Sequence, residues 1–280
     1  MRVRHIFLII LASSLILPAF ARMVEKEENF DIRSETLSIE IDVDGAELEV
    51  KPSNDRNDCL IYMRYPSEKC DVSIRYNERR GQLDIIVDNN EWDMDESTGE
   101  HAPEIILELP YGPELSISAH IKAGELDFEL GDLTIVDYQL RNWAGETTVE
   151  FSEPNRTVMR TFDVNVKVGE VKLLNLGNAL FEEADINSGI GELTVDFSGK
   201  GLERSMARID LDIGETQITV PENIGTKLKV SKFLFLSEIS YPDWFDKRGN
   251  YYYSDNYDDS KKSLYLMIST GIGELGIKVN

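Results

Sequence analysis

The sequence predicts an all-β protein: a parallel β-solenoid of stacked repeats behind a leading N-terminal β module. Three observations predict it. Apolar and polar residues alternate with period two along most of the chain, as in Leu37-Ser38-Ile39-Glu40-Ile41-Asp42-Val43, which puts alternate side chains on opposite faces of a strand. Helical periodicity is almost absent. The dipeptide Gly-Glu recurs at Gly124-Glu125, Gly145-Glu146, Gly169-Glu170, Gly191-Glu192, Gly214-Glu215 and Gly273-Glu274, each time ahead of a short β-type run such as Leu193-Thr194-Val195. The first five glycines stand 21, 24, 22 and 23 residues apart, and a fixed period of that size marks stacked structural units.

A strand–turn–strand unit of one period cannot bury its own apolar face, whereas stacking units along an axis joins those faces into one core. In the unit around Gly191, Ser188-Gly189-Ile190-Gly191 turns and Leu193, Val195 and Phe197 then share a face. Thr194 and Asp196 point the other way. Glycine fits a bend that needs positive φ or close backbone approach. A β-sandwich is the alternative, since it also has many short strands at regular spacing. The solenoid is preferred because one dipeptide returns in one phase.

Residues 1–21 read as a signal peptide. Arg2 and Arg4 supply a positive start, Ile6 to Leu17 an apolar run, and Ala19-Phe20-Ala21 a cleavage site. The run is short for a spanning helix, which needs about 20 apolar residues, and no later stretch is longer. The mature chain is therefore expected to be exported, to periplasm or cell surface, with no membrane span after cleavage. The whole sequence has 29 basic and 52 acidic residues, a formal charge of −23. Loss of the two leader arginines makes it −25. Such a surface repels nucleic acid and anionic headgroups and suits cations or basic partners.

Residues 22–100 form the leading β module. Its two cysteines, Cys59 and Cys70, lie in sequence expected to be exported, where disulfides persist. Leu60 to Arg64 reads as a strand, Tyr65-Pro66-Ser67-Glu68 as a turn and Asp71 to Tyr76 as a returning strand. A tight hairpin predicts a Cys59–Cys70 disulfide, with free thiols or a redox couple as alternatives. The acidic stretch from Asp88 to Glu96 breaks the strand pattern and is the expected boundary. Residues 101–280 are the repeat domain. Its last glycine gap, from Gly214 to Gly273, exceeds two periods. Residues 241–262 interrupt it, rich in aromatics and acids: Tyr241, Trp244, Phe245, Tyr251, Tyr252, Tyr253 and Tyr257.

The repeats from about residue 104 to 280 resemble the bacterial toast-rack family, whose members include candidate adhesins and envelope stress-response proteins. The resemblance is carried by Leu109-Pro110, by Gly124 to Leu133, by Val149 to Asn155, by Val220-Pro221, and above all by Gly189-Ile190-Gly191-Glu192-Leu193-Thr194-Val195-Asp196-Phe197-Ser198-Gly199. It implies a right-handed parallel β-solenoid, no enzyme activity and no catalytic residues. Residues 30–100 match it less clearly.

Catalytic signatures are missing. Beyond His5 in the leader only His101 and His120 remain, too few for a His-based triad or His-rich metal site. No phosphate-cradling glycine loop occurs. In register, the repeat glutamates would stand about 4.8 Å apart on neighbouring turns, and like charges that close repel by roughly 1 kcal/mol per pair in water. Calcium between carboxylates is one remedy. Backbone N–H groups at the bend, or Lys122, Lys167 and Lys172 alongside, are the simpler one. The aromatic segment is either a cap for the open end of the stack or a partner surface. The expectation is an exported, non-enzymatic cell-envelope protein that binds an envelope protein or glycan, with no cofactor. The alternative is a calcium-assisted polysaccharide-active enzyme using acids such as Glu192 and Glu215.

Overall fold

The computed structural model describes residues 22–90, 102–201, 203–232 and 237–280. The expected leader, the acidic residues from Glu91 to Glu96 and His101 lie outside the described residues. Among the described residues there is no helix, and sixteen strands form one sheet. In chain order they are β1 (Met23–Asp31), β2 (Thr36–Pro52), β3 (Asp58–Pro66), β4 (Cys70–Asn77), β5 (Gln82–Asn89), β6 (Glu104–Leu109), β7 (Glu114–Glu129), β8 (Ile135–Glu150), β9 (Met159–Leu174), β10 (Phe181–Asp196), β11 (Arg204–Val220), β12 (Gly225–Lys232), β13 (Ser237–Ser240), β14 (Phe245–Arg248), β15 (Tyr251–Ser254) and β16 (Ser263–Val279).

The centre is a parallel stack in the order β2-β7-β8-β9-β10-β11-β16. One long strand makes each rung, where two short strands about a turn were expected. β10 runs through Gly191 without a break because the parallel ladder continues on both sides of the glycine. What changes there is the phase. Before the corner Ala184, Ile186 and Ser188 face inward, and after it Leu193, Val195 and Phe197 do. The four residues between, Gly189 to Glu192, have no inward position, so they form an outward corner.

The two inward faces close on one hydrophobic core that runs from Leu37 to Ile277. Its widest part is aromatic: Tyr138 lies between Phe128 and Phe162, stacked on the latter at 5.3 Å, with Phe151 beyond. Each such ring buries on the order of 150–250 Å². Connections between rungs are also tied down. Asn155, buried, accepts from the Ile135 N–H at 2.9 Å and donates to the carbonyls of Ile135 and Thr157.

Both ends of the stack differ from its middle. β5 and β6 together make one split rung against β2, pairing with Ser38–Val43 and Glu47–Pro52 respectively. β5 ends at Asn89 and β6 begins at Glu104, at the level where other rungs have their corner. At the far end β12 and β13 make a second split rung against β16. The last strand in sequence therefore sits inside the stack, between β11 and β12. This accounts for the long glycine gap: one further rung and the β14–β15 hairpin intervene. The sheet is continuous across residue 100, since β2 pairs with β7 over Thr36 to Val50.

Candidate functional site

The corner is built by stacked glycines. Gly124, Gly145, Gly169, Gly191, Gly214 and Gly273 have φ between 122° and 153°. They are direct register partners from strand to strand. A Cβ on Gly191 would stand 1.9 Å from the carbonyl oxygen of Gly169, and one on Gly214 1.8 Å from that of Gly191. No side chain fits that space, so the glycine is fixed by the rung below as well as by its own φ. On β2 the partner of Gly124 is Ala46. The rung beyond Ala46 is made of two strands, β5 ending at Asn89 and β6 beginning at Glu104.

One residue later the carboxylates form a column: Glu47, Glu125, Glu146, Glu170, Glu192, Glu215 and Glu274 are register neighbours in turn. Two of them have a partner two residues along the same strand. Lys172 Nζ is 2.7 Å from Glu170, and Gln217 donates to Glu215 at 2.7 Å. Lys122 pairs with Asp44 instead. At the β2 end Glu47, Glu49, Glu104, Glu125, Asp127 and Glu146 line a groove of about 410 Å³. There burial first, then Glu49 and Glu129, pushes the Asp127 carboxyl above its usual 3.8. Among the described residues no group of three or more His, Cys, Asp and Glu side chains is arranged to hold a metal ion. The column can present charge to a partner.

A second outer groove, of about 500 Å³, crosses β7 to β11 before the corner and is lined by Asp137, Gln139, Thr161, Asp163, Asp185 and Arg208 among others. Its acids are engaged: Thr161 donates to Asp137 at 2.9 Å, and Gln139 and Arg141 donate to Asp163. His120 is an exposed residue of β7.

The aromatic segment adds the β14–β15 hairpin to the edge of β12. Phe245 is buried and Trp244 packs on the core. Tyr251, Tyr252, Tyr253 and Tyr257 are half-buried, and Tyr241, exposed, leans on Tyr252 at 4.9 Å. Lys227 reaches from β12 into a cage of tyrosines, its ammonium 4.1 Å from the ring of Tyr251, 4.8 Å from Tyr265 and 5.7 Å from Tyr253. Lys247 over Tyr252 and Arg248 over Tyr253 add two more cation–π contacts.

The predicted disulfide is not formed. Cys59 and Cys70 are both buried, and no bond joins them. β3 and β4 do not make the expected hairpin: β3 lies between β1 and β6, with Cys59 opposite Phe30, while β4 pairs with β5, placing Cys70 opposite Asn89. Seven residues of strand from Cys59 to Pro66 also carry the chain roughly 23 Å away before it turns, beyond the reach of a disulfide. Burial pushes the Cys59 thiol up to about 12, so it is an inert core side chain.

Sequence reasoning passed over the residue before each corner glycine. Val168, Ile190, Ile213 and Ile272 are exposed and in register. The recurring tripeptide Ile-Gly-Glu is the signal available, and reading Ile190 only as part of a turn passes over it.

The chain matches two family descriptions. The N-terminal domain of toast_rack covers residues 21–169, and the C-terminal domain of the cell wall-active antibiotics response protein LiaF covers residues 169–277. The match thus begins well before residue 104, where the resemblance was expected to start. No curated protein matches the chain. Among solved structures, a candidate cell adhesion protein from Clostridium sporogenes ATCC 15579 is 15% identical, with a TM-score of 0.47, covering 92% of this chain and 100% of that one. A candidate adhesin from Bacteroides fragilis NCTC 9343 is 12% identical, with a TM-score of 0.36 and coverage of 91% and 97%.

Proposed function

The chain belongs to the toast-rack family, and on that premise we propose that it is an exported, non-enzymatic protein of the cell envelope. In this reading it binds a protein or glycan partner through its strand-built outer faces. The observation that carries it is the register-locked corner. Six consecutive long strands from β7 to β16 present the same carboxylate at the same place. A rigid surface with a repeated chemical group suits an extended partner, as solenoid surfaces do elsewhere. The match of residues 169–277 to a cell wall-active antibiotics response protein supports the envelope. Among the described residues no helix is long and apolar enough to cross a membrane. Right-handed winding goes with this reading, since parallel crossovers have that hand in about 98% of cases. The aromatic end serves first as a cap, with Tyr241 its most accessible ring.

Cell fractionation together with affinity capture tests the proposal. The expected result is recovery in the envelope or exported fraction and capture of a defined envelope component from extracts. Recovery in the cytosol, or capture no better than a bare matrix, would count against it.

A further inference from the structure

An apolar ridge runs beside the carboxylate column. Val168, Ile190, Ile213 and Ile272 are 48%, 49%, 44% and 45% exposed, and they are direct register partners on β9, β10, β11 and β16. On β8 the register partner of Val168 is the small, half-buried Ala144, and Trp143, 67% exposed, stands one residue before it. Single exposed apolar side chains need no explanation, but a contiguous line of them does. Two residues along each of the first four strands stand Glu170, Glu192, Glu215 and Glu274. The phase change at the corner explains why both lines point outward. It does not explain why β-branched residues occupy the first.

We propose that this ridge docks a basic amphipathic α-helix of a partner protein, its apolar face on Val168, Ile190, Ile213 and Ile272 and its Lys or Arg side chains on the glutamates beside them. The proposal rests on the reading that the chain binds an envelope partner. Spacing favours a helix. Rungs repeat at about 4.8 Å and helical turns at about 5.4 Å, so over three intervals the two drift apart by only about 2 Å, within the reach of long side chains. Same-side residues of an extended segment repeat at about 6.8 Å and lose register at once. Charge favours a basic helix. Lys172 pairs with Glu170, while Gln217 beside Glu215 brings a hydrogen bond and no charge. A formal charge of −23 disfavours an anionic lipid surface. A second copy laid antiparallel on the same ridge would bring carboxylate column against carboxylate column, and one laid parallel would leave both columns without a cation. The mode is that of an amphipathic helix read through spaced apolar anchors.

The probe is a labelled synthetic helix of leucine and lysine, about 18 residues or five turns long. Its controls are a scrambled order with no apolar face and a version with glutamate for lysine. Fluorescence anisotropy should show saturable binding of the first alone. The double variant Ile190→Thr/Ile213→Thr keeps strand propensity at exposed positions and should weaken binding by about tenfold or more, with an unchanged melting temperature. Glu192→Gln/Glu215→Gln should weaken it several-fold and flatten its salt dependence. Absence of binding to the wild type, or equal binding by the scrambled peptide or the threonine variant, would overturn the proposal. A wild-type dimer that the threonine variant dissolves, seen by sedimentation, would overturn it in favour of self-association. The threonine variant also separates this proposal from the broader one. If it captures the same envelope partner as the wild type, the ridge is wrong and the broader reading stands. If neither captures anything, the broader reading fails and takes the ridge with it.

Discussion

The inner rungs and the end rungs of the stack solve the same corner in different ways. From β8 to β16 each rung turns on a glycine that sits over the carbonyl of the glycine before it, and Gly124 on β7 sits over the carbonyl of Ala46. At the end rungs the described strands stop short of the corner. Residues 90–103 separate β5 from β6, residues 233–236 separate β12 from β13, and Ala46 replaces glycine on the strand facing the first gap. Bending a strand is therefore not what requires the glycine. Stacking one bent strand directly on another is. The ends are held instead by antiparallel partners and side chains: β1, β3 and β6 at one end, and the tyrosine cage about Lys227 at the other.

Substituting the corner residues would break this comparison most sharply. Gly191→Ala should destabilise the protein by about 3 kcal/mol or more, because the new methyl group must displace the Gly169 carbonyl in addition to adopting a strained φ. Ala46→Gly should cost only about 1 kcal/mol, from added chain freedom and one lost buried methyl. Gly249, with φ 67° and nothing near its missing Cβ, isolates the conformational part, so Gly249→Ala should cost about 1–2 kcal/mol. Urea melts give all three. Equal losses at Gly191 and Gly249 would mean that φ, and not stacking, fixes the column.

The end rung is the next place to press. Replacing Lys227 by methionine keeps most of its bulk and removes the charge from the tyrosine cage. The expected loss is about 1 kcal/mol, the usual size of a partly desolvated cation–π interaction. No change in the urea midpoint would show that the hairpin is held by ring packing alone.

The sequence revealed the inner rungs and concealed the ends, for one physical reason. Where a rung stacks on its like, geometry forces a repeated residue, and Gly-Glu can be read off the chain. Ala46 carries no such constraint, so β2 went unread as a rung although Glu47 continues the column. The place of β16 between β11 and β12 depends on pairing between distant segments, which leaves no local pattern. The alternation of β10 was legible down to single residues, Leu193, Val195 and Phe197 inward. The partners of β3 were not, and the expected disulfide failed with them. At the corner the glycine and glutamate stand out because they recur identically, while the residue before the glycine varies between Val168 and Ile190 and does not.

Charge extends the same contrast on a smaller scale. Stacking in register sets like on like: Asp127 on β7 faces Glu49 on β2. The connections between rungs pair unlike groups, and Arg156 grips Asp132 through two hydrogen bonds of 2.9 and 2.6 Å. The two aspartates should therefore titrate with opposite consequences. Burial and then Glu49 raise the Asp127 carboxyl in the folded state, so folding favours its protonated form, and stability falls as pH rises through the raised value. The hydrogen bond from Arg156 lowers the Asp132 carboxyl, so its contribution is present at neutral pH and is lost as pH falls through the lowered value. Asp127→Asn should stabilise and Asp132→Asn destabilise at neutral pH, each by no more than about 0.5 kcal/mol given their exposure. Near pH 2 both differences should be smaller than at neutral pH, that of Asp132→Asn fading last because its carboxyl keeps its charge to lower pH. Urea midpoints at the two pH values decide. A shift of the same sign for both variants at neutral pH would mean that net charge governs the response, and the distinction between stacked acids and paired acids would fall.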